Sequence, residues 1–325
     1  MIIPSYWAEA RLQERLRGRQ LTLRRFGWSE LSAEAAQAHA EQRVKEAMAA
    51  ARAGAKPARR DLKVAYGGVH GLPIREEVLE RHGDLAVTRN AYGARCLNVP
   101  DVLFADVDFP DEAGSRLVVA CGAVLVLLAL LATWPRHSAW LSVGALFVAL
   151  LMSSPMALAV HRFWQRRGPS PERTALRRFE AFVAAHPDWR LRVYRTPGGL
   201  RALALHRRFD PLEPAVDEFF RALRGDTVYG AMCKTQRCFR ARVSPKPWRI
   251  GIEAHLRPRP GTWPLTAEGL VLRRAWVAAY EDRSVGFASC RLLVELGQAP
   301  VDARAAEVQA LHDRWCRVDS GLPIA

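Results

Sequence analysis

The chain has 325 residues, 50% of them hydrophobic and 25% charged, with a net charge of +15. This length allows about two domains, and the lack of internal repeats or long low-complexity tracts excludes a repeat array. The charge is lopsided: residues 1–115 carry 17 basic and 16 acidic side chains, residues 162–325 carry 29 and 17. A basic late segment points to anionic lipid headgroups or to nucleotide and nucleic-acid phosphates as partners. Arginine outnumbers lysine 43 to 5 beside abundant alanine, a composition typical of a GC-rich bacterial genome.

Taken in chain order, Met1 to Arg11 has no apolar stretch of signal-peptide type, so no cleaved leader is expected. The opening is apolar and aromatic (Ile2, Ile3, Tyr6, Trp7), and Leu21–Trp28 reads as a strand. Glu30–Ala53 repeats Leu31, Ala35, Ala38 and Val44 on a helical period, with Ser29 as its expected N-cap. Gly54–Arg60 is a basic linker, Val64–Tyr66 a short strand and Gly67–Gly68 a turn, with His70 and His82 as loop residues beside glycines. Pro73–Arg81 predicts a helix with proline in its first turn and Gly83 as its stop. Short strands are expected at Leu85–Thr88, Gly93–Leu97 and Val102–Asp108.

Two apolar runs follow, at about 117–134 and 140–160, neither with a charged residue. Each approaches the roughly 20 residues needed to cross a hydrocarbon core, and Pro135–Ala139 leaves room only for a tight turn between them. Trp134 and Trp140 flank the turn, and Phe163 and Trp164 flank the far end, as interfacial aromatics do. Pro155 predicts a kink. Arg162, Arg166, Arg167, Arg173, Arg177 and Arg178 crowd the end of the second run, whereas the turn holds only Arg136. The positive-inside rule then keeps the basic end and both termini in the cytoplasm. The expected protein is multi-pass in a bacterial inner membrane, with cytoplasmic segments at 1–115 and 165–325 and a hairpin over 116–164.

Beyond the hairpin, Glu172–Ala185 reads as a helix and Trp189–Arg195 as a strand. In that strand Leu191 and Val193 face one way, and Arg190, Arg192 and Tyr194 the other. Thr196–Gly199 is a turn, Leu200–Leu205 a strand, Pro214–Leu223 a helix, Thr227–Cys238 a second helix and Phe239–Val243 a strand. Leu272–Leu296 mixes helix and strand signals, and Asp302–Val318 is a closing amphipathic helix. The fold class is therefore α+β with an inserted two-helix transmembrane hairpin. The later domain can form one composite fold with residues 85–110.

Three stretches carry candidate chemistry. Asp106 and Asp108 end an apolar strand as D-x-D, which sets both carboxylates on one face about 6–7 Å apart. Such a pair can hold Mg²⁺ or Mn²⁺ for phosphoryl transfer. Thr196-Pro197-Gly198-Gly199 lies between two strands, and Arg195 and Arg201 flank it as a fork for phosphate. Gln236–Arg249 interleaves Arg240, Arg242, Lys246 and Arg249 with Phe239 and Trp248, a composition suited to phosphates and stacked bases or to the inner leaflet. Arg190, Arg192, Arg240 and Arg242 are expected to pool on one sheet face. The six cysteines are scattered and read as buried free thiols, since Cys233 and Cys238 have no histidine at zinc spacing. His312 and Asp313 are adjacent on one helix, where neighbours do not face each other. No Walker A, G-x-S-x-G, H-E-x-x-H or Rossmann fingerprint is present.

The order of a strand ending in D-x-D, helix, strand, T-P-G-G turn, strand and helix is similar to the catalytic half of the archaeo-eukaryotic primase and primase-polymerase superfamily. The resemblance covers about 95–225, with the membrane hairpin inserted after the first strand. It implies an RRM-like sheet, Asp106 and Asp108 as metal ligands, and Thr196, Gly198 and Gly199 as a nucleotide-phosphate turn. Two departures stand out. The turn is one residue shorter than the family's, and Arg201 occupies the position of the family's histidine, outside its acid–base range. Glu253 is the candidate for the third acid. The sequence thus leads to an inner-membrane protein whose basic domain binds nucleotide or nucleic acid with a metal. The alternatives are a non-enzymatic membrane scaffold whose basic face binds anionic lipid or a protein partner, and a D-x-D sugar transferase.

Overall fold

The computed structural model describes residues 3–16, 18–61, 72–109, 114–136, 138–259, 263 and 265–325. The strand expected at 64–66, the turn at 67–68 and His70 lie outside the described residues. Two compact units emerge: residues 1–107 with 182–325, and residues 108–181. The chain segments before and after the apolar runs thus belong largely to one unit.

That larger unit is mixed α+β. Its opening is a long antiparallel hairpin of β1 (Tyr6–Leu16) and β2 (Arg19–Ser29), covered by α1 (Ala33–Arg52). Strand β1 adds to the sequence reading: Ala8, Ala10 and Leu12 alternate with Glu9, Arg11 and Gln13 along it. Helix α1 starts later than expected. Ser32 is its N-cap, accepting from Ala35 N at 3.1 Å, while Ser29 Oγ accepts from Leu31 N at the strand end. Ala36, Ala40, Val44 and Met48 form the buried stripe. Gly27 of β2 lies so close to α1 that a Cβ would fall 2.1 Å from Ala40 N and 2.3 Å from Ala36 O.

The helix expected at Pro73–Arg81 is instead a strand. Here β3 (Glu77–His82) pairs with β4 (Leu85–Arg89), and Gly83 serves as a hairpin turn at φ +62° rather than as a helix stop. Cross-strand pairing with the fully buried Leu85–Val87 outweighs the proline start signal. A four-stranded sheet runs β3-β4-β5-β9, with β5 at Arg95–Val99 and β9 at Phe239–Arg242.

The second four-stranded sheet has the order β10-β7-β8-β6, where β6 is Phe104–Asp108, β7 Leu191–Thr196, β8 Gly199–Ala204 and β10 Arg291–Leu296. Ala204 N donates to Leu103 O, and Arg201 meets Asp106, so β8 and β6 run in opposite directions. One sheet face packs on an aromatic cluster, in which Trp189 stacks on Phe219 at 4.9 Å and meets Phe182 edge-on at 4.9 Å. The other face is covered by α8 (Ala303–Cys316). Tyr194, expected on the same strand face as Arg190 and Arg192, is therefore fully buried against His312. The region with mixed signals resolves into α7 (Ala267–Ser284) followed by β10. Helices α4 (Pro171–Ala185), α5 (Pro214–Leu223) and α6 (Thr227–Gln236) lie where periodicity places them.

The smaller unit contains α2 (Ser115–Thr133) and α3 (Ala139–Arg167). Both are long and apolar enough to cross a membrane, α2 spanning about 28 Å at 1.5 Å per residue. They pack on small residues: Gly122, Ala149 and Ala157 are buried, and a Cβ on Gly122 would touch Ser153 Cβ at 3.4 Å. Ser142 Oγ reaches Thr133 Oγ1 at 3.1 Å, and Ser153 Oγ donates to Leu150 O at 2.7 Å, so these hydroxyls are satisfied within the hairpin. Helix α3 contains Pro155 and outlasts its apolar run because no glycine or proline lies between Val160 and Gly168-Pro169.

Candidate metal centre

Helix α8 builds the most chemically loaded site. Asp302 caps its start, accepting from Arg304 N and Ala305 N, and Arg317 closes it at φ +56°. Its buried stripe is Ala305, Val308, His312 and Cys316, so a histidine and a cysteine occupy positions where an ordinary core helix carries aliphatic residues. They are four apart and share a face. Ser289 N donates to Cys316 O at 2.9 Å, and this bond draws the segment before β10 against the end of α8. Cys290 is thereby brought to the pair. The ligand atoms of Cys290, His312 and Cys316 lie within 4.8 Å of one another, all three residues being buried. Nothing in the local sequence around Cys290 announces this. The available signal was His312 and Cys316 on the buried face of an amphipathic helix.

His312 Nδ1 bonds Asp313 Oδ1 at 2.9 Å, so the adjacent residues do meet, contrary to the expectation from helix geometry. The carboxylate is held from the other side by Arg192 Nη2 at 3.3 Å. This fixes the imidazole with Nε2 toward the thiols, 3.4 Å from Cys316 Sγ. The Cys316 hydrogen bond, aided by the His312 charge and hydrogen bond, draws Cys290 down to about 5 against the opposing effect of burial. Burial alone would lower His312, but the Cys290 thiolate and the Asp313 bond outweigh it and raise it. Burial and the Cys290 charge push Cys316 up. The cluster can hold a metal ion. Ser289 and Trp315, the residues just before Cys290 and Cys316, line a cleft of about 400 Å³.

The D-x-D strand and the T-P-G-G hairpin meet on this same sheet face, through an ion pair. Arg201 is buried and grips Asp106 with both arms, Nε to Oδ1 at 2.7 Å and Nη2 to Oδ2 at 3.0 Å, while its Nη1 donates to Arg242 O at 2.7 Å. Burial opposes ionisation of Asp106, but the Arg201 charge and hydrogen bonds win and hold the carboxyl below its ordinary range. Arg201 is correspondingly raised, its burial outweighed by Asp106. Asp108 is exposed at the strand end. Pro197 and Gly198 form the two-residue turn between Thr196 and Gly199. The Arg195 guanidinium donates to the Thr196 and Gly199 carbonyls and so braces the turn from inside.

The arginines expected to pool on one face do not. Arg190 and Arg192 belong to the sheet containing β7, Arg240 and Arg242 to the sheet containing β9. Acids also hold three of them: Glu295 binds Arg190 and Arg192, and Glu76 binds Arg240 at 2.6 Å. Arg242 donates to Ser244 O. Lys246 sits 5.3 Å from the Trp248 ring, Trp248 is half exposed against Tyr92, and Arg249 and Glu253 lie in the turn and loop that follow. Of the six free cysteines, all but Cys121 are buried, and burial pushes Cys233 up and Cys238 up to about 11. The chain matches no protein-family model, no curated protein and no solved structure.

Proposed function

We propose that the protein is a bilayer-anchored, non-enzymatic scaffold of a bacterial inner membrane. In this reading α2 and α3 cross the bilayer as a hairpin, both termini stay in the cytoplasm, and the basic stretch after α3 binds anionic lipid headgroups. The observation that carries it is the surface of the hairpin. Leu127, Leu131, Phe147 and Leu150 are each more than half exposed, on helices whose apolar runs contain no charge. In water each such side chain forfeits about 1.5–3 kcal/mol of burial, and a hydrocarbon core restores it. Trp134 and Trp140 at one end and Phe163 and Trp164 at the other are also exposed, at the two levels where headgroups lie. Arg116, Arg162, Arg167, Arg173 and Arg177 are exposed near the chain ends of the hairpin.

The scaffold reading stands ahead of metal-dependent nucleotide binding because of the Asp106–Arg201 pair. A nucleotide site built on the D-x-D strand and the T-P-G-G turn needs Asp106 for the metal and Arg201 for the phosphate, and here each neutralises the other. Topology is tested by labelling a reporter in the turn at 135–139 and at each terminus in intact cells. The turn is expected to react from outside and the termini only after permeabilisation. Extraction of the protein by alkaline carbonate, or a turn that reacts only from inside, overturns the reading.

A further inference from the structure

We infer that Cys290, His312 and Cys316 bind one thiophilic d¹⁰ cation, Zn²⁺ or Cu⁺, which clasps the end of α8 to the segment entering β10. Three observations converge. The ligand set is two sulfurs and one imidazole, the soft-to-borderline donors these ions prefer over Mg²⁺ or Mn²⁺. The spacing is already close: tetrahedral Zn²⁺ with bonds of about 2.3 Å to sulfur and 2.0 Å to nitrogen needs S···N of about 3.5 Å, and His312 Nε2 to Cys316 Sγ is 3.4 Å. The Asp313 carboxylate on His312 Nδ1 is the outer-shell arrangement that orients a ligating histidine and raises its basicity. Charge separates the two ions: two thiolates and a neutral imidazole cancel Zn²⁺ and leave a neutral complex that is cheap to bury, whereas Cu⁺ leaves one net negative charge in the cluster.

Among the described residues no further cysteine, histidine or acid joins the three. Zn²⁺ would therefore take a small exogenous fourth donor, whereas Cu⁺ would sit in a three-coordinate site. The cleft lined by Ser289 and Trp315 lies one residue along the chain from Cys290 and Cys316, and none of the three ligands lines it. On binding, the protons still held by the two sulfurs and by His312 Nε2 pass to solvent as the metal bonds form, with no change of oxidation state. A cysteine–histidine–aspartate hydrolytic triad uses the same contacts, but Cys290 and Cys316 are fully buried and offer no room for a substrate carbonyl.

The test is elemental analysis of the full chain purified in detergent under reducing conditions, before and after incubation with Zn²⁺ or with Cu⁺, followed by removal of loose metal. About one equivalent of zinc or of copper is expected, and the metal retained tells the two apart. Co²⁺ loading is expected to give a sulfur-to-cobalt charge-transfer band in the near ultraviolet. Cys290→Ser, Cys316→Ser and His312→Gln should each lower the stoichiometry to a small fraction, while Cys233→Ser, a buried thiol outside the cluster, should keep it at one. If the ligand variants fail to fold, the wild-type stoichiometry and cobalt band still decide. No retained metal and no cobalt band, a Cys290–Cys316 disulfide in the reduced preparation, or loss of metal in Cys233→Ser alone would each overturn the assignment.

Discussion

Asp106→Asn isolates the ion pair between β8 and the edge strand β6. The substitution leaves Arg201, whose side chain is 3% exposed, charged and without its anion. Breaking a buried pair from one side costs about 3–5 kcal/mol because the remaining charge stays desolvated. Asp106 itself is 34% exposed, and Arg201 keeps its bond to Arg242 O, so the lower end, about 3 kcal/mol, applies. For a unit of this size each kcal/mol shifts Tm by about 2–4 °C, giving a fall of roughly 6–12 °C. Thermal denaturation of the detergent-solubilised chain reads this directly. Replacing both partners with apolar residues, Asp106→Leu with Arg201→Met, should recover most of the loss. If Asp106 instead stood free as a metal ligand, Asn would relieve carboxylate repulsion and raise Tm. A variant within about 1 °C of wild type, or one more stable, refutes the pairing argument.

Further outcomes follow from the same structure. Gly27→Ala drives a methyl into the α1 backbone and should destabilise by about 3 kcal/mol, the upper end for overpacking, measured by the same melt. Gly297→Ala meets both a φ of +84° and the Trp189 carbonyl at 2.1 Å, and should destabilise by a comparable amount. Acid should weaken the fold through Asp106. Its folded value lies below the unfolded one, so its contribution is present above about pH 4 and is lost as pH falls through the folded value, a loss that Tm measured from pH 6 to pH 3 should show and the double apolar variant should lack. His206 is lowered by burial and accepts from Arg190 N, so stability should climb with pH up to about 6.5, and His206→Asn should flatten that slope.

Local pattern carried much of the architecture. The charge-free runs, the Pro214–Leu223 helix and the alternation of Leu191 and Val193 were legible because periodicity and hydropathy act within a few residues. Where partners are distant the sequence was silent or misleading. Pro73–Arg81 carries helix-start and helix-stop residues, yet pairing with Leu85–Arg89 makes its second half a strand. Tyr194 shares a strand face with two arginines, and the helix that buries it begins more than a hundred residues later. The site shows the same division. Asp106 and Arg201 were both singled out as chemically notable, one for metal and one for phosphate, but only the fold reveals that they face each other across 95 residues. Cys290 gained meaning only through the Ser289–Cys316 backbone bond. His312 and Cys316 could have been noticed four apart on a buried helical face.

The most direct test of the scaffold account is a thermal-shift titration of the full chain in detergent, with anionic lipid in one arm and Mn²⁺ plus nucleotide in the other. A ligand that binds only the folded state raises apparent stability by mass action. The account requires Tm to rise with anionic lipid, to a degree that falls with added salt, and to stay unchanged with metal and nucleotide. A nucleotide-dependent rise that needs Mn²⁺ and disappears in Asp106→Asn would contradict it and restore Asp106 as a metal ligand.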